Sequence, residues 1–421
     1  MDLHIDKVKH HGPIRHTPVD EAIKQILSHL TLPDLPTEFV DLSEAHDRVL
    51  ANDVTSLNDF PPFDKASMDG YAVVSSDTNG TSHENPIFLN VIQNIFAGEE
   101  SSSSITSGNA IAISTGSMIP SGADAVMMLE KVQSIGNRIK ITEKIDHGEN
   151  IAKMGEEVKK NQIILGKGTW IKAHDIGLLA SIGVLNVPVF KKPKVAVIAT
   201  GNELIEPGGK LGNGQIFESN RYVVSSLIQE YGGKVIDMGI CRDEKEIITN
   251  KLKKAMECDM IVVTGGSSVG EKDYVPEIIN TMGKPGIIVH GIAMKPGSPA
   301  ALGLVNDIPI LVTPGFPVSS YFSFYTFGRM FLQRILQTKG KPIPQLTSKM
   351  LKDVKTNEMM RTFVRVNIIK QDDTFFADPT STGDSRLLST LTNSDGFIIV
   401  ENKQTLKKNE QVQVILLRNI Q

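Results

Sequence analysis

The pattern of apolar and polar positions divides the first half of the chain into segments of different character. In Thr17–Leu30 (TPVDEAIKQILSHL), apolar residues recur every three or four positions, which predicts an amphipathic helix. From about residue 54 to residue 145, short apolar segments such as Ile87–Ile92 and Asn109–Ile113 are separated by Gly, Ser, Asn and Pro, a pattern typical of a β module. The same criteria predict a short helix over Ser43–Val49 and a linker over Pro188–Pro193.

Strands and helices alternate in the next part of the chain. Lys194–Thr200 (KVAVIAT) and Asp259–Thr264 (DMIVVT) are apolar segments of strand length, and Ile287–Met294 predicts another strand. Such alternation predicts a parallel sheet with right-handed crossovers, whose functional loops lie at the carboxyl ends of the strands. After about residue 339 the short apolar segments return, which predicts a small C-terminal β domain.

Composition and charge exclude several classes of protein. The chain has 421 residues, too many for one core, so several domains are expected. A net charge of −4 disfavours a general nucleic-acid binder. No apolar segment approaches the roughly 18 residues that cross a membrane, and the first residues lack a signal-peptide pattern. Cys241 and Cys258 are the only cysteines, as is typical of a reducing compartment. We therefore predict a cytoplasmic protein that binds neither nucleic acid nor membranes.

The loop after the strand Asp259–Thr264 allows two interpretations. Thr264–Tyr274 (TGGSSVGEKDY) contains a G-x-S-x-G match around Ser268, the pattern of a hydrolase nucleophile. However, the only later histidine is His290, which lies in an apolar segment, and no HGGG-type oxyanion loop occurs. The same glycines and serines can form a nest of backbone N–H groups around a phosphate. The phosphate interpretation is favoured because other strand ends carry matching chemistry.

Three further strand exits in this region carry residues suited to an anionic ligand. They are Thr200–Glu203 (TGNE), Lys295–Pro299 (KPGSP) and Pro314–Pro317 (PGFP). Glu203 and Asp273 are expected to approach one another at the carboxyl edge of the sheet. Two carboxylates near a phosphate favour a divalent cation between them, and hard oxygen ligands favour Mg²⁺.

These motifs, in this order, resemble the molybdopterin molybdenumtransferase (MoeA) family, which includes the C-terminal module of gephyrin. The most specific is Pro61–Val73 (PPFDKASMDGYAV), which surrounds Asp69. The other motifs are Ser114–Val126, Gly148–Val158, Thr200–Leu204, Thr264–Tyr274, Met294–Pro299 and Pro314–Ser319. The resemblance extends from about Thr17 to the C-terminus.

The resemblance implies a multidomain α/β and β architecture. A split helical domain would comprise residues 12–53 and 146–191, with a β module at 54–145 inserted into it. A molybdopterin-binding α/β domain would follow at 192–338, and a small C-terminal β domain at 339–421. The resemblance also implies a homodimer whose active site lies between the α/β domain of one subunit and the β module of the other.

The resemblance further implies a reaction. The protein would insert molybdate, or tungstate, into adenylylated molybdopterin with Mg²⁺ and release AMP. Asp69, Glu203 and Asp273 would be the catalytic carboxylates and the metal ligands. The implied substrate-binding residues are Thr115, Glu157, Thr264, Gly265, Gly266, Ser267, Ser268, Gly270, Lys295, Ser298, Pro314, Pro317, Arg361, Arg365 and Ser385.

The sequence departs from the family pattern at four positions. Asn202 and Glu157 stand where Asp is common, Ser298 where a lysine is common, and Phe316 where Asn is common. Loss of that lysine weakens the anion pocket.

Two alternative functions stay open. A molybdopterin adenylyltransferase would share only the α/β domain and leave residues 1–190 without a role. A non-catalytic pterin-binding scaffold would predict long linkers or tails for partner proteins.

Overall fold

The computed structural model describes residues 16–31, 35–266, 274–381, 384–401 and 403–420. The chain forms two compact units. The first unit holds residues 39–46 and 50–189, and the second holds the described residues among 1–38, 47–49 and 190–421. In the described part of the chain, no helix combines the length and the apolar character needed to cross a membrane.

Strands dominate both units. In the first part of the chain they are β1 (Thr37–Asp41), β2 (Val54–Thr55), β3 (Lys65–Ala66), β4 (Gly70–Val73), β5 (Ile87–Ile95), β6 (Asn109–Ile113), β7 (Ala125–Met128), β8 (Val132–Ile135), β9 (Arg138–Ile141), β10 (Ile151–Ala152), β11 (Ile163–Leu165) and β12 (Asn186–Phe190). They continue with β13 (Lys194–Thr200), β14 (Leu204–Ile205), β15 (Ile216–Phe217), β16 (Lys234–Cys241), β17 (Met260–Thr264), β18 (Pro285–His290), β19 (Met294–Lys295), β20 (Ala301–Val305) and β21 (Ile308–Thr313). The last are β22 (Gln345–Met350), β23 (Val354–Lys355), β24 (Arg361–Gln371), β25 (Thr374–Ser381), β26 (Gly396–Val400), β27 (Thr405–Leu406) and β28 (Gln411–Leu416).

The α-helices are α1 (Val19–His29), α2 (Ala173–Ser181), α3 (Asn220–Glu230), α4 (Lys245–Ala255), α5 (Val275–Met282), α6 (Pro317–Ser323), α7 (Arg329–Ile335) and α8 (Ser389–Thr392). Short 3₁₀ turns lie at Leu42–Glu44, Ser75–Thr78 and Leu129–Lys131, and a π-helical turn at Phe324–Gly328 joins α6 to α7.

The first unit is built around a six-stranded sheet with the order β7-β4-β6-β5-β9-β8. Its strand β4, which lies between β7 and β6, is buried along its whole length. Tyr71 and Val73 pack in one apolar cluster of this unit, whereas Ala72 packs in another, as the alternation of side chains across a strand requires. The predicted β module over this part of the chain is therefore present as a sheet with an apolar layer on each face.

Two sequence predictions near the boundaries of the units need correction. The predicted linker Pro188–Pro193 begins inside β12, where Val187 and Val189 are fully buried, and only residues 191–193 lie outside a strand. The predicted helix Ser43–Val49 is only the 3₁₀ turn Leu42–Glu44. Asp47 adopts a positive φ of 58°, which is incompatible with a continued right-handed helix.

The second unit contains a six-stranded sheet with the order β16-β13-β17-β21-β20-β18. The strands β16, β13, β17 and β21 are parallel, whereas β20 runs antiparallel to both of its neighbours. The reversal occurs because Asn306 and Asp307 both have positive φ, as a two-residue hairpin turn requires. The predicted strand Ile287–Met294 is in fact divided, because β18 ends at His290 and Met294 begins β19.

A closed β-barrel forms the C-terminal part of the second unit. β24 pairs with β25 and β26, β22 pairs with β25 and β28, and β28 pairs with β26. This circuit leaves none of the five strands with an unpaired edge. Phe363 of β24 stacks on Phe322 of α6, with 4.3 Å between the ring centroids, and Phe397 of β26 meets the same ring edge-on. The barrel is therefore packed directly on the α/β part of the same unit.

Candidate functional site

In the first unit, the loop that carries Asp69 is held by hydrogen bonds along its length. Ala66 exchanges backbone hydrogen bonds with the segment Gly116–Ser117, at 2.8 and 2.9 Å, and the Ser67 N–H donates to the Asn150 carbonyl at 2.9 Å. After Asp69 the chain enters β4 at Gly70. A methyl group at Gly70 would lie 2.0 Å from the Met127 carbonyl oxygen, so only glycine fits there. The glycine that follows Asp69 is thus required by the close packing of β4 on β7.

The structure brings together two predicted site residues, Asp69 and Thr115, which are separated by 46 positions. The Thr115 backbone N–H donates to Oδ1 of Asp69 at 2.7 Å, and the Thr115 hydroxyl donates to the same oxygen at 2.9 Å. These bonds, the backbone one first, lower the pKa of Asp69 because they favour its ionised form. Both residues are exposed. Oδ2 of Asp69 accepts no hydrogen bond from the described residues, which leaves it open to a ligand.

Glu157 lies elsewhere in the first unit. Its backbone N–H donates to the Phe60 carbonyl at 3.1 Å, and its side chain is exposed. Asp64 connects the motif Pro61–Val73 to the motif Gly148–Val158. Its carboxylate accepts hydrogen bonds from the Lys153 ammonium at 2.9 Å and the Met154 N–H at 2.8 Å. Within the described residues, no hydrogen bond connects Glu157 to Asp69 or Thr115.

In the second unit, buried threonines end three adjacent parallel strands. Thr200, Thr264 and Thr313 terminate β13, β17 and β21, and each is almost inaccessible to solvent. The Gly265 N–H donates to the Thr313 carbonyl at 3.0 Å, with φ at 89°. A methyl group on Gly265 would lie 2.5 Å from the Thr200 carbonyl oxygen. Only a glycine at position 265 allows the chain to leave β17 in this direction. Gly266, with φ at 67°, continues the turn.

The rest of this loop lies outside the described residues. Ser267, Ser268, Gly270 and Asp273 fall in the segment 267–273, which the structure does not describe. The phosphate nest and the role of Asp273 therefore stay predictions.

Glu203 follows β13 and lies one residue before β14. Its carboxylate folds back over Gly201, since a methyl group there would lie 2.8 and 2.9 Å from the two carboxylate oxygens. The Glu203 carbonyl accepts a hydrogen bond from the Ile216 N–H at 2.9 Å. No described residue donates to its side chain. The backbone therefore fixes Glu203, while its carboxylate stays available.

Asp243, which lies just after β16, is not among the site residues predicted from the sequence. Its N–H donates to the Asn202 side-chain oxygen at 3.2 Å, and its carboxylate accepts from the Asn202 N–H at 3.3 Å. Asn202 is one of the departures from the family pattern, and it joins the exits of two neighbouring strands. The signal for Asp243 in the sequence is its position two residues after the strand β16, since polar residues at strand exits were the basis of the other site predictions.

Lys295 is exposed at the end of β19, which pairs with β24 of the barrel. It borders a cavity of about 660 Å³ that also holds a second ammonium group, that of Lys355. The rest of the wall consists of one acidic residue, one apolar residue and five uncharged polar residues, namely Glu358, Met359, Thr356, Asn357, Thr362, Gln404 and Thr405. Ser298 lies three residues beyond Lys295. Its hydroxyl already has a polar partner, since it lies 3.0 Å from Nδ1 of His16.

Arg365, Ser385 and the Pro314–Pro317 loop come together in the second unit. Arg365 is fully buried; it donates to the Ser381 hydroxyl and, at 3.0 Å, to the Asp384 carbonyl. The next carbonyl, that of Ser385, accepts from the N–H of Val318 at 3.2 Å, directly after Pro317. Burial lowers the pKa of Arg365 to about 10. Its Nε and Nη1 atoms have no partner among the described residues.

Arg361 differs from Arg365, although both belong to β24. Its guanidinium forms ion pairs with Asp20 at 2.9 Å and Glu401 at 2.5 Å. Both acids lie in the second unit. These contacts favour a structural role for Arg361, and its predicted contact with substrate stays a prediction.

The described side chains do not form a complete metal cage. Within the parts of the chain that are described, no three His, Cys, Asp or Glu residues cluster as metal ligands. Oδ2 of Asp69 and the carboxylate of Glu203 accept no hydrogen bond from the described residues.

The fold and these residues define a multidomain α/β and β protein with polar residues gathered at strand exits. Three family descriptions match successive parts of the chain. They are the MoeA N-terminal region (domain I and II) at residues 17–183, a probable molybdopterin binding domain at 196–334, and the MoeA C-terminal region (domain IV) at 347–417.

Relatives match over almost the whole chain. A molybdopterin biosynthesis protein of Methanocaldococcus jannaschii is 34% identical over 90% of this chain and 92% of its own length. A molybdopterin molybdenumtransferase of Bacillus subtilis is 32% identical over 95% of this chain and 94% of its own length. The crystal structure of a MoeA protein from Pyrococcus horikoshii is similar, with a TM-score of 0.80, 33% identity, and coverage of 96% of this chain and all of that one.

The chain therefore belongs to the MoeA family, the molybdopterin molybdenumtransferases of molybdenum cofactor biosynthesis. The family and the fold class predicted from the sequence are confirmed.

Proposed function

We propose that the protein inserts molybdate, or tungstate, into adenylylated molybdopterin and releases AMP. The observation that carries the proposal is the 32% identity, over 95% of this chain, to a relative named molybdopterin molybdenumtransferase. The match includes the N-terminal and C-terminal regions, which an adenylyltransferase confined to the α/β domain would lack. The proposal includes the four-domain division 12–53 with 146–191, 54–145, 192–338 and 339–421.

Asp69 and Glu203 are the proposed catalytic carboxylates and Mg²⁺ ligands, together with Asp273. The two hydrogen bonds from Thr115 orient Asp69 and leave Oδ2 exposed. Glu203 is fixed through its backbone. A bound Mg²⁺ offsets negative charge on phosphate oxygens and on a leaving phosphate group.

The proposed substrate pocket lies at the strand exits of the second unit. Thr264, Gly265 and Gly266 begin the loop that receives the pterin phosphate, with Ser267, Ser268 and Gly270 following in sequence. Lys295 supplies a positive charge beside a cavity of about 660 Å³. Arg365 offers two buried N–H groups that have no partner among the described residues, and a buried donor without a partner is stabilised by an anionic ligand. Further contacts are proposed for Thr115, Glu157, Ser298, Pro314, Pro317, Arg361 and Ser385.

The direct test is an assay of product formation. Purified protein is incubated with adenylylated molybdopterin, Mg²⁺ and molybdate, and AMP and the metal-containing cofactor are both quantified. The proposal predicts equal amounts of AMP and cofactor, loss of both with a chelator, and competition by tungstate. Cofactor binding without AMP release would favour a scaffold. Transfer of AMP from ATP to molybdopterin, with release of pyrophosphate and no need for molybdate, would favour an adenylyltransferase.

The proposal includes a homodimer in the cytoplasm. Family membership supports the dimer, and the two free, buried cysteines are consistent with a reducing compartment. Sedimentation should give twice the chain mass at micromolar concentration. If the two subunits share each site, mixing Asp69→Ala with Asp273→Ala subunits should recover roughly a quarter of wild-type sites. A fully active monomer, or no recovery after confirmed subunit exchange, would exclude the shared site.

A further inference from the structure

The first turn of α3 contains a buried arginine that faces three carboxylates. Arg221 is only 4% exposed. Its guanidinium donates to Glu206 at 2.5 Å and to Asp237, and its Nε lies 3.5 Å from Glu218. Burial opposes the charge, but the hydrogen bond and attraction from the carboxylates raise the pKa of Arg221. Removing the charges of Arg221 and Glu218 from water is costly, and a buried ion pair contributes little net stability. Its position suggests another role.

The three carboxylates come from different elements around Glu203. Glu206 directly follows β14, Glu218 precedes α3, and Asp237 lies within β16. The Glu203 carbonyl accepts from the Ile216 N–H at 2.9 Å. At the other end of this stretch, the Ile205 carbonyl accepts from the Glu218 N–H, also at 2.9 Å. The stretch from Glu203 to Glu206 is therefore held by β15 through its backbone and by Arg221 through the Glu206 side chain.

The neighbouring residue, Asn220, holds a second loop. Its side-chain N–H donates to the Gly315 carbonyl at 2.7 Å, and Asn220 is 8% exposed. Gly315 lies in the Pro314–Pro317 loop after β21. In the sheet, β13 and β21 lie on either side of β17. Asn220 and Arg221, two adjacent residues of α3, thus fix the loops on either side of the end of β17, the strand that leads into the predicted phosphate loop.

We propose that Asn220 and Arg221 are positioning residues, which set the Glu203 stretch and the Pro314–Pro317 loop on either side of the β17 exit. The inference rests on the proposed function, in which the first loop carries a catalytic carboxylate and the second shapes the substrate pocket. Displacement of a catalytic group by about 1 Å reduces a rate by about a hundredfold. Loosening the Glu203 stretch should therefore lower kcat, whereas loosening the Pro314–Pro317 loop should raise KM.

The test compares two carboxylates of the same cluster. Glu206 and Asp237 both pair with Arg221, and their side chains are 52% and 49% exposed. Only Glu206 belongs to the Glu203 stretch. Glu206→Gln should lower kcat for AMP release roughly tenfold with KM almost unchanged. Asp237→Asn, the matched control, should change kcat less than about twofold. Asn220→Ala should raise KM for the pterin substrate and leave kcat nearly constant.

A second arm separates this inference from the proposed function. In a Glu203→Gln background, adding Glu206→Gln should produce little further loss, because both changes act on one carboxylate. Hydrogen exchange, which needs no activity, should be faster at the Ile216 and Glu218 amides in Glu206→Gln but not in Asp237→Asn. Equal effects of Glu206→Gln and Asp237→Asn on kcat and exchange would overturn the positioning role. Wild-type protein without AMP release, but with the exchange difference intact, would overturn the proposed function alone.

Discussion

The two units place their candidate carboxylates in different ways. In the first unit, Asp69 is held directly, because Thr115 donates two hydrogen bonds to one of its oxygens. In the second unit, no described residue donates to the Glu203 carboxylate, and its position depends on backbone pairing and on the buried Arg221 cluster behind it. A directly bonded carboxylate is oriented and kept ionised. A carboxylate fixed only through its backbone keeps both oxygens for a metal ion or substrate, but it depends on the surrounding fold.

The largest expected effect comes from the backbone of the second unit. Gly265→Ala places a methyl group 2.5 Å from the Thr200 carbonyl, at a φ of 89° that L-residues rarely adopt. Backbone strain alone costs about 1–3 kcal/mol, and the overlap adds to it. We expect a clearly lower melting temperature and loss of AMP release.

The matched control for Gly265→Ala lies in the first unit. Gly177 is exposed in α2, and a methyl group there would contact nothing within 4 Å. Gly177→Ala should therefore stabilise the helix by up to about 1 kcal/mol. Equal melting temperatures for the two variants would show that the exit of β17 is not rigid.

The next prediction distinguishes Arg365 from Arg361, two arginines of β24, by their effects on substrate affinity and on stability. Arg365→Met removes a buried guanidinium whose Nε and Nη1 atoms have no partner among the described residues. The free energy of unfolding should therefore stay the same or rise. Affinity for the anionic substrate should fall by about tenfold or more, since a charge-assisted hydrogen bond contributes about 1.5–3 kcal/mol.

Arg361→Met should show the opposite pattern. It leaves Asp20 and Glu401 without their shared cation, so stability should fall while affinity changes little. Denaturant unfolding and substrate titration measure the two quantities separately. A loss of affinity in Arg361→Met as large as that in Arg365→Met would place Arg361 in the binding site.

The smallest effect concerns the pKa of Asp69. Its folded pKa is lowered, so the ionised form contributes stability above the ordinary aspartate pKa, and this contribution is lost as pH falls through the lowered value. Thr115→Val removes the hydroxyl donor but keeps the backbone donor. The pKa of Asp69 should move upward, and the acid limb of the kcat/KM profile should move to higher pH.

Thr115→Ser is the control for this shift, because it keeps the hydroxyl. Carbon-detected NMR titration of the Asp69 carboxyl would follow the pKa directly. An identical acid limb in Thr115→Val and wild-type protein would mean that Asp69 does not control the profile.

The sequence was informative where chemistry is local. Lys194–Thr200 and Met260–Thr264 are continuous apolar segments, and the structure buries Val195, Ala196 and Val263 of these strands in the sheet. Glycines at the exit of β17 likewise indicated a turn, and Gly265 and Gly266 have the positive φ that such a turn needs.

Contacts that depend on strand register and on distant pairing were not predictable. The bond between Asp69 and Thr115 requires β4 and β6 to pair in one register, with Gly70 opposite Ile113. The Arg221 cluster depends on contacts between distant elements, because Arg221 lies in α3, whereas its partner Glu206 follows β14 and its partner Asp237 lies in β16. The antiparallel strand β20 depends on a two-residue turn whose conformation the pattern of apolar positions does not specify.

The central claim is that the carboxylates of both units serve one reaction. Single-turnover AMP release from adenylylated molybdopterin, with Mg²⁺ and molybdate, tests it in Asp69→Asn and Glu203→Gln. Exposed Glu84→Gln in the first unit and Glu246→Gln in the second are the matched controls. We predict that each site variant keeps the wild-type melting temperature but releases AMP about a hundredfold more slowly or worse, and that both controls match the wild type. Wild-type rates in either Asp69→Asn or Glu203→Gln would contradict the claim.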